Sequence, residues 1–392
     1  MHRPHLKIQY FLKSEMNELY VTHSLRSFAM STISVFMPIF LLKKEFSFLA
    51  VILYFAFNTF FGTIFMYAGL KLASKKGVKH VITVSMPILI AFFLLLYNFD
   101  YLLLHFNRYL VLFFVSGIIA FSGGLYFAGF HVDFAKCSSK EKVDSQVGIV
   151  NALSMVFSII GPFFGALVIS IFSFEVLFII IILVLFVAII PLFFSEEVSE
   201  PFEFKLKKSF SRKSIKKNYV FFAEGMRDYA ARIFWPFLLF FLAINLKSIG
   251  GIFTLSNALL ALFTFYVGKK MNDGNRHRIM NFGAWIHSLS LVVRTLLKTA
   301  STIAITQGFG AISFSMINIP FHSVLYSNSK KKGIAYTIFS REIFLHTGRL
   351  VMTLLAIALF FILKDPKTVL IISIIIGAIF TFFMIQIQEE SE

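Results

Sequence analysis

Two stretches of this chain, Phe174 to Phe194 and Thr368 to Ile385, carry one charge between them, Glu175. Apolar runs of this length fit the thickness of a bilayer and not the core of a soluble domain. The pattern recurs along the whole chain, with spans near 19–42, 47–70, 81–98, 109–130, 146–171, 174–194, 218–244, 248–268, 280–297, 300–326, 333–363 and 367–388. With 392 residues, 58% of them hydrophobic and 15% charged, there is more apolar surface than a soluble domain of this size buries. The expected fold class is an all-α polytopic membrane protein of 12 transmembrane helices, with the lipid bilayer as its first partner.

A net charge of +17 would suit a nucleic-acid binder, but the cations sit in short loops between spans and not on one face. No nucleic-acid partner is expected. About 24 Lys and Arg residues fall on the side that holds both termini, against about 7 on the other. By the positive-inside rule both termini are cytoplasmic and the chain is a multi-pass protein of the cell (plasma or inner) membrane. The first 16 residues are basic, broken by Pro4 and without an apolar core, so no cleaved signal peptide is read. Cys137 is the one cysteine, which excludes an intramolecular disulfide.

The longest polar stretch, 195–217, turns from acidic to strongly basic and divides the spans six and six. It reads as a solvated linker on an anionic leaflet. The halves around it repeat. Asn58 and Gly69 in span 2 match Asn257 and Gly268 in span 8, at an offset of 199; Phe36-Met37-Pro38 matches Phe234-Trp235-Pro236; Phe130-His131 and Phe321-His322 end spans 4 and 10. The expected organisation is two pseudo-symmetric six-helix bundles, 1–194 and 218–392, joined by the cytoplasmic linker 195–217.

Twelve spans in parallel halves, with this central loop, resemble the major facilitator superfamily (MFS) over nearly the whole chain. The family's loop between spans 2 and 3 has glycines, an acid and cations. Here Gly69, Lys75, Lys76 and Gly77 fit, while Ser74 stands at the acidic position. Between spans 8 and 9, Gly268 and Asp273 are the counterpart. In span 5, Gly161-Pro162 and Gly165 resemble the Gly-Pro element of the family's exporters; close helix packing explains them equally. The resemblance implies that spans 1, 4, 7 and 10 line a central cavity, flanked by spans 5 and 11.

Ionisable groups inside spans are costly and must face the bundle interior or water. Span 1 holds Arg26; span 7 holds Glu224, Arg227, Asp228 and Arg232; span 11 holds Arg341, Glu342, His346 and Arg349. At helical spacing each set falls on one face. Two tiers follow. Arg26, Arg232 and Arg349 lie near mid-span and would contact an anionic or strongly polar small-molecule substrate, helped by Gln307 and Asn318 of span 10. Glu224, Arg227, Asp228, Arg341 and Glu342 lie deeper and would form an inner gate between the halves, or pair statically within span 7. Asp228, Glu342, Glu224 and His346 are the groups available for proton coupling. Arg294 is expected to snorkel to the interface, His131 and Asp133 to bound the inner end of span 4, and Asn58 and Asn257 to bridge helices in both halves.

No H-E-x-x-H, G-x-S-x-G or P-loop is present, so neither an enzyme nor a cofactor is expected. Paired halves with charged mid-span sites suit alternating access better than a pore. The leading expectation is a monomeric, proton-linked exporter of a small anionic or amphipathic solute. The alternatives are a proton symporter for an organic anion or sugar, and a sensor or lipid-handling member of the same fold.

Overall fold

In a computed structural model, residues 15–137, 143–194, 212–271 and 274–387 are described, and among them there are helices and no strand. The helices are α1 (Glu15–Ser34), α2 (Met37–Lys43), α3 (Phe48–Lys76), α4 (Val78–Tyr97), α5 (Phe99–His105), α6 (Arg108–Cys137), α7 (Val143–Ile171) and α8 (Phe174–Ile189). They continue with α9 (Arg212–Tyr229), α10 (Trp235–Phe241), α11 (Leu246–Lys270), α12 (Arg276–Leu296), α13 (Ala300–Lys332), α14 (Ile334–Leu363) and α15 (Pro366–Met384). Every predicted span coincides with a helix or with a broken pair. By length and apolarity alone, eight helices among the described residues can cross a membrane, or nine with α1 and α2 counted as one bent span. Spans 5, 7 and 9 fall short by that measure. The apolar part of α7 is the short Val156–Ile171, and α9 and α12 carry internal charges. They are placed by packing, α7 on α1 and α11, α9 on α14 and α15, α12 on α13 and α15. The protein is a multi-pass, all-α membrane protein.

Prolines set the two breaks. Span 1 bends by 42° between α1 and α2, just before Pro38, and span 7 widens into a π turn, Ala230–Phe234, just before Pro236. A proline supplies no N–H and its ring displaces the preceding turn, so the helix opens on its N-terminal side. The halves repeat in the next turn as well. Glu45 and Ala243 both take left-handed backbone, φ 61° and 58°. Phe46 N–H donates to Leu41 O at 3.2 Å, and Ile244 N–H to Leu239 O at 3.1 Å, the same helix stop 198 residues apart.

On the face opposite the chain termini, here the far face, each even-numbered span starts with a polar cap. Ser47, Asn107, Ser173, Asn245, Thr299 and Asp365 accept backbone N–H groups of α3, α6, α8, α11, α13 and α15, which would otherwise lack partners in the first turn. On the terminal face two links are a single residue, Gly77 and Gly333, both at φ 98°, where glycine alone fits without strain. The expected loop between spans 2 and 3 is thus mostly helix: Gly69 and Lys75 lie on α3, and Ser74 Oγ donates to Lys71 O within it. The charge that matters there is Lys79, buried at the start of α4 and 2.8 Å from Glu18 of α1. Gly268 lies in the last turn of α11; Asp273 and 195–211 lie outside the described residues.

Glycines bring helices into backbone contact at matching places in the two halves. A Cβ on Gly161 or Gly165 of α7 would overlap Ser31 or Thr32 of α1, and one on Gly225 of α9 or Gly348 of α14 would overlap the other helix's carbonyls. Spans 1 and 5, and spans 7 and 11, are therefore tightly coupled pairs.

Candidate functional site

A cavity of about 630 Å³ lies between the halves. Spans 1, 4, 7 and 10 line it as the resemblance implies, span 10 only through His322 and Leu325, and spans 2 and 11 line it as well. Toward the far face its wall is apolar, with Ile33, Met37, Tyr54, Phe55 and Ile233. Toward the terminal face it is polar, with His131, His322, Arg341 and Glu342. At the far end Phe48 of α3 meets Phe237 and Phe241 of α10 and Phe360 of α14, at ring distances of 5.0–6.1 Å, so aromatic side chains of both halves close it there.

Arg26 projects from α1 into this cavity. Its guanidinium carbon lies 3.9 Å from the Tyr126 ring centroid and 5.1 Å from that of Phe127, both on α6. Tyr126 is itself held by His23, whose Nδ1 is 2.8 Å from the phenol oxygen. Arg26 is only 6% exposed, yet no carboxylate pairs with it and its Nε has no hydrogen-bond partner among the described residues.

The second half treats its arginines differently. Arg341 Nη2 and Nε reach Glu224 at 2.5 and 3.2 Å, and its Nη1 reaches Glu342 at 2.6 Å. Arg349 Nη2 and Nε both contact Asp228 Oδ2, at 2.7 and 2.9 Å. Arg232, on the π turn, lies 3.9 Å from the same oxygen and leaves 60% of its side chain exposed to the cavity. His346 Nε2 is 3.8 Å from Glu342. The Gly225 and Gly348 contacts bring α9 and α14 close enough for Arg341 and Arg349 to pair across helices, while Asp228 and Arg232 also meet along span 7. This also corrects the expected gate. Glu224–Arg341 and Asp228–Arg349 join spans 7 and 11 of one half, so a rigid rocking of the halves would leave them intact.

Four expected positions fall elsewhere. Gln307 is buried away from the cavity, accepting from Trp235 Nε1 and, at 3.0 Å, from Arg294 Nη1. Two buried donors converge on its one carbonyl oxygen, which turns the side chain inward. Arg294 therefore does not snorkel. It is 4% exposed, with its guanidinium 4.9 Å from the Trp235 ring. Arg227 packs behind the ion pairs, 3.9 Å over Phe314 and with Nη1 3.5 Å from His287 Nε2; His287 Nδ1–H donates to Gly310 O at 2.9 Å. Asn318 is half-buried and outside the cavity wall.

Other residues line the cavity that were not expected there. His131 and His322 face it from α6 and α13, and His23 and Tyr126 support Arg26. The Phe-His pairs that end spans 4 and 10 were the available signal, since a polar residue repeated at equivalent span ends marks a shared environment.

The halves meet along two seams. At α7 and α11, Pro162 supplies no N–H to the Ser158 carbonyl one turn earlier; Asn257 Nδ2 donates to that carbonyl at 2.8 Å instead. Next to it, Phe163 N–H donates to Thr254 Oγ1 at 3.1 Å. At α3 and α14, Gly62 lies against the His346 ring, with Met66, Leu70, Ile338 and Phe339 in one apolar cluster. Asn58, the repeat mate of Asn257, faces the cavity.

A helical bundle with a cavity enclosed between related halves defines a transporter fold. A family model described as the Major Facilitator Superfamily matches residues 19–389, and the chain belongs to that family. It is a transporter-type protein and not an enzyme. A Bacillus subtilis (strain 168) protein described as uncharacterized protein YqgE is 23% identical over 267 residues, which cover 64% of this chain and 62% of that protein. The crystal structure of a variant of the E. coli fucose:proton symporter FucP is similar over 96% of this chain and 98% of that one, with a TM-score of 0.67 and 13% identity, a likeness of fold.

Proposed function

We propose that this chain is a secondary active transporter that carries a small anionic solute through the central cavity by alternating access. The observation that carries this reading is Arg26, a buried guanidinium in the cavity wall with no carboxylate partner among the described residues. Burying an uncompensated cation is costly, so a site that keeps one favours an anion as its occupant. Arg232, exposed to the same space from the other half, gives that anion a second contact. Arg349, being paired to Asp228, supports the site from behind.

We take the proton as the coupling ion. Glu342, His346 and His131 meet at the polar end of the cavity, and the similar fold of a fucose:proton symporter supports that reading. The Gly161-Pro162 element favours export; the symporter's likeness favours import with a proton, the alternative. Positive loop charge supports cytoplasmic termini and a cytoplasmic 195–217 linker, with residues 1–194 and 218–392 as the two moving bodies of this reading. One chain encloses the whole cavity, which suits a monomer.

The test is flux in proteoliposomes under an imposed pH gradient, across organic acids, sugars and cationic drugs. Arg26→Ala and Arg232→Ala should abolish anion flux in correctly inserted protein, while Arg294→Ala, away from the cavity, should leave substrate preference unchanged. Wild-type anion flux in both cavity variants would overturn the reading.

A further inference from the structure

The charges around the cavity do more than favour an anion; they count its charge. On α9, the π turn and α14, three carboxylates, Glu224, Asp228 and Glu342, pair with Arg232, Arg341 and Arg349, while Arg227 of α9 packs behind them over Phe314, outside the cavity wall. In the first half, the buried cation Lys79 is matched by Glu18. Arg26 is left as one positive charge facing the cavity without an acid, and it asks for one negative charge in return.

The shape of the site says where that charge sits. One face of the Arg26 guanidinium is taken by the Tyr126 ring, which His23 holds in place. The remaining in-plane N–H groups match a planar, two-oxygen acceptor, and a carboxylate fits such a fork better than a point anion does. From Arg26 toward the far face the wall turns mainly apolar, through Met30 and Ile33 to Met37, Tyr54 and Phe55 with Ser34 and Asn58 between them, and beyond it Phe48 packs on Phe237 of the other half. A second carboxylate placed there would meet Arg232 alone, whose charge Asp228 already offsets at 3.9 Å.

Resting on the anion-transport reading above, we infer that the solute is an amphipathic monocarboxylate, its carboxylate docked on Arg26 and its hydrocarbon body in the apolar chamber toward Phe48. A cavity of about 630 Å³ has room for a body of an aryl ring and a short alkyl chain. Arg26 is then the specificity-determining residue, with Arg232 as a second contact, and the ion pairs of the second half keep Arg341 and Arg349 from competing for the same carboxylate.

Radiolabelled 4-phenylbutyrate, bound to the full-length protein in lipid nanodiscs, tests this. Saturable binding is expected, competed by octanoate but not by the neutral 4-phenylbutyramide, by the dicarboxylate glutarate or by fucose. Arg26→Gln should weaken it by about 10- to 100-fold, the range for a lost charge-assisted hydrogen bond, and Arg26→Lys by less. Should Arg26→Gln fail to fold, the acid against its amide on the wild-type protein decides. Equal competition by the amide, or binding that never saturates, overturns the inference. Arg26-dependent binding of glutarate in preference to the monocarboxylates overturns it too, while leaving an anion transporter. Fucose binding untouched by Arg26→Gln overturns both readings.

Discussion

The two seams between the halves start from the same sequence device and end as different structures. Spans 2 and 8 carry Asn58 and Asn257 at equivalent positions, and each faces a span of the other half. Asn257 closes on a carbonyl because Pro162 has left that carbonyl without its own helical partner. Span 11 has no proline between Ile334 and Leu363, so its backbone offers Asn58 nothing, and Asn58 turns to the cavity. Both halves carry the polar residue; its backbone partner exists only where span 5 has a proline. The consequence is a seam held by directional bonds to backbone and another held by apolar contact and the His346 ring, which is movable and titratable. On the alternating-access reading proposed above, the ionisable chemistry lies on the seam that carries fewer fixed bonds.

The comparison can be broken from either side. The largest effect is expected behind the α3/α14 seam, where Glu224→Ala leaves Arg341 short of its strongest partner. Truncating one member of a buried pair costs about 3–5 kcal/mol. Thermal unfolding in detergent should register that loss, with the α7/α11 seam unaffected. Next is steric. A methyl on Gly250 would meet Pro162 O at 2.7 Å and the Ala166 methyl group at 2.5 Å, neither of which can move alone, whereas a methyl on Gly62 meets the His346 ring at 2.8 Å. Gly250→Ala should cost about 1–3 kcal/mol of stability, and Gly62→Ala far less, its effect appearing in the pH profile of flux because the ring must turn away. Equal melting temperatures for the two variants would erase the distinction. The smallest effect is Asn257→Ala, about 0.6–1.7 kcal/mol, with Asn58→Ala near zero. In a Pro162→Ala background, where Ser158 O regains a helical donor, the Asn257 loss should shrink, and a double-mutant cycle measures the difference.

Fold and site were legible to different degrees. The helices and the Phe-x-Pro breaks follow from hydropathy and proline, which act locally, and the structure returns the breaks with the same 198-residue offset in the Glu45 and Ala243 turns. Which helix face an arginine would find was not legible. Arg294 looked like an interface residue because its position along the span is peripheral, yet Gln307 and Trp235 of two other spans make a buried site for it. The expected gate misassigned its partners for a related reason. Sequence places Glu224 and Arg341 in the same half at similar depth, but only the Gly225 and Gly348 contacts decide that they face each other. Depth is a one-dimensional quantity; pairing depends on rotation about each helix axis, which small residues on distant helices set.

Trp235 also has an optical consequence. The chain has two tryptophans, and they sit in opposite surroundings: Trp235 is fully buried at the end of the π turn, hydrogen-bonded to Gln307 and overlain by Arg294, while Trp285 is 70% exposed on the outside of α12. Excited-state emission of an indole shifts in colour and yield with the charge and polarity around it. With Trp285 replaced by phenylalanine, the single remaining chromophore would stand one helical turn from Arg232, so solute arrival and the straightening or winding of span 7 can be followed in real time without attaching any label.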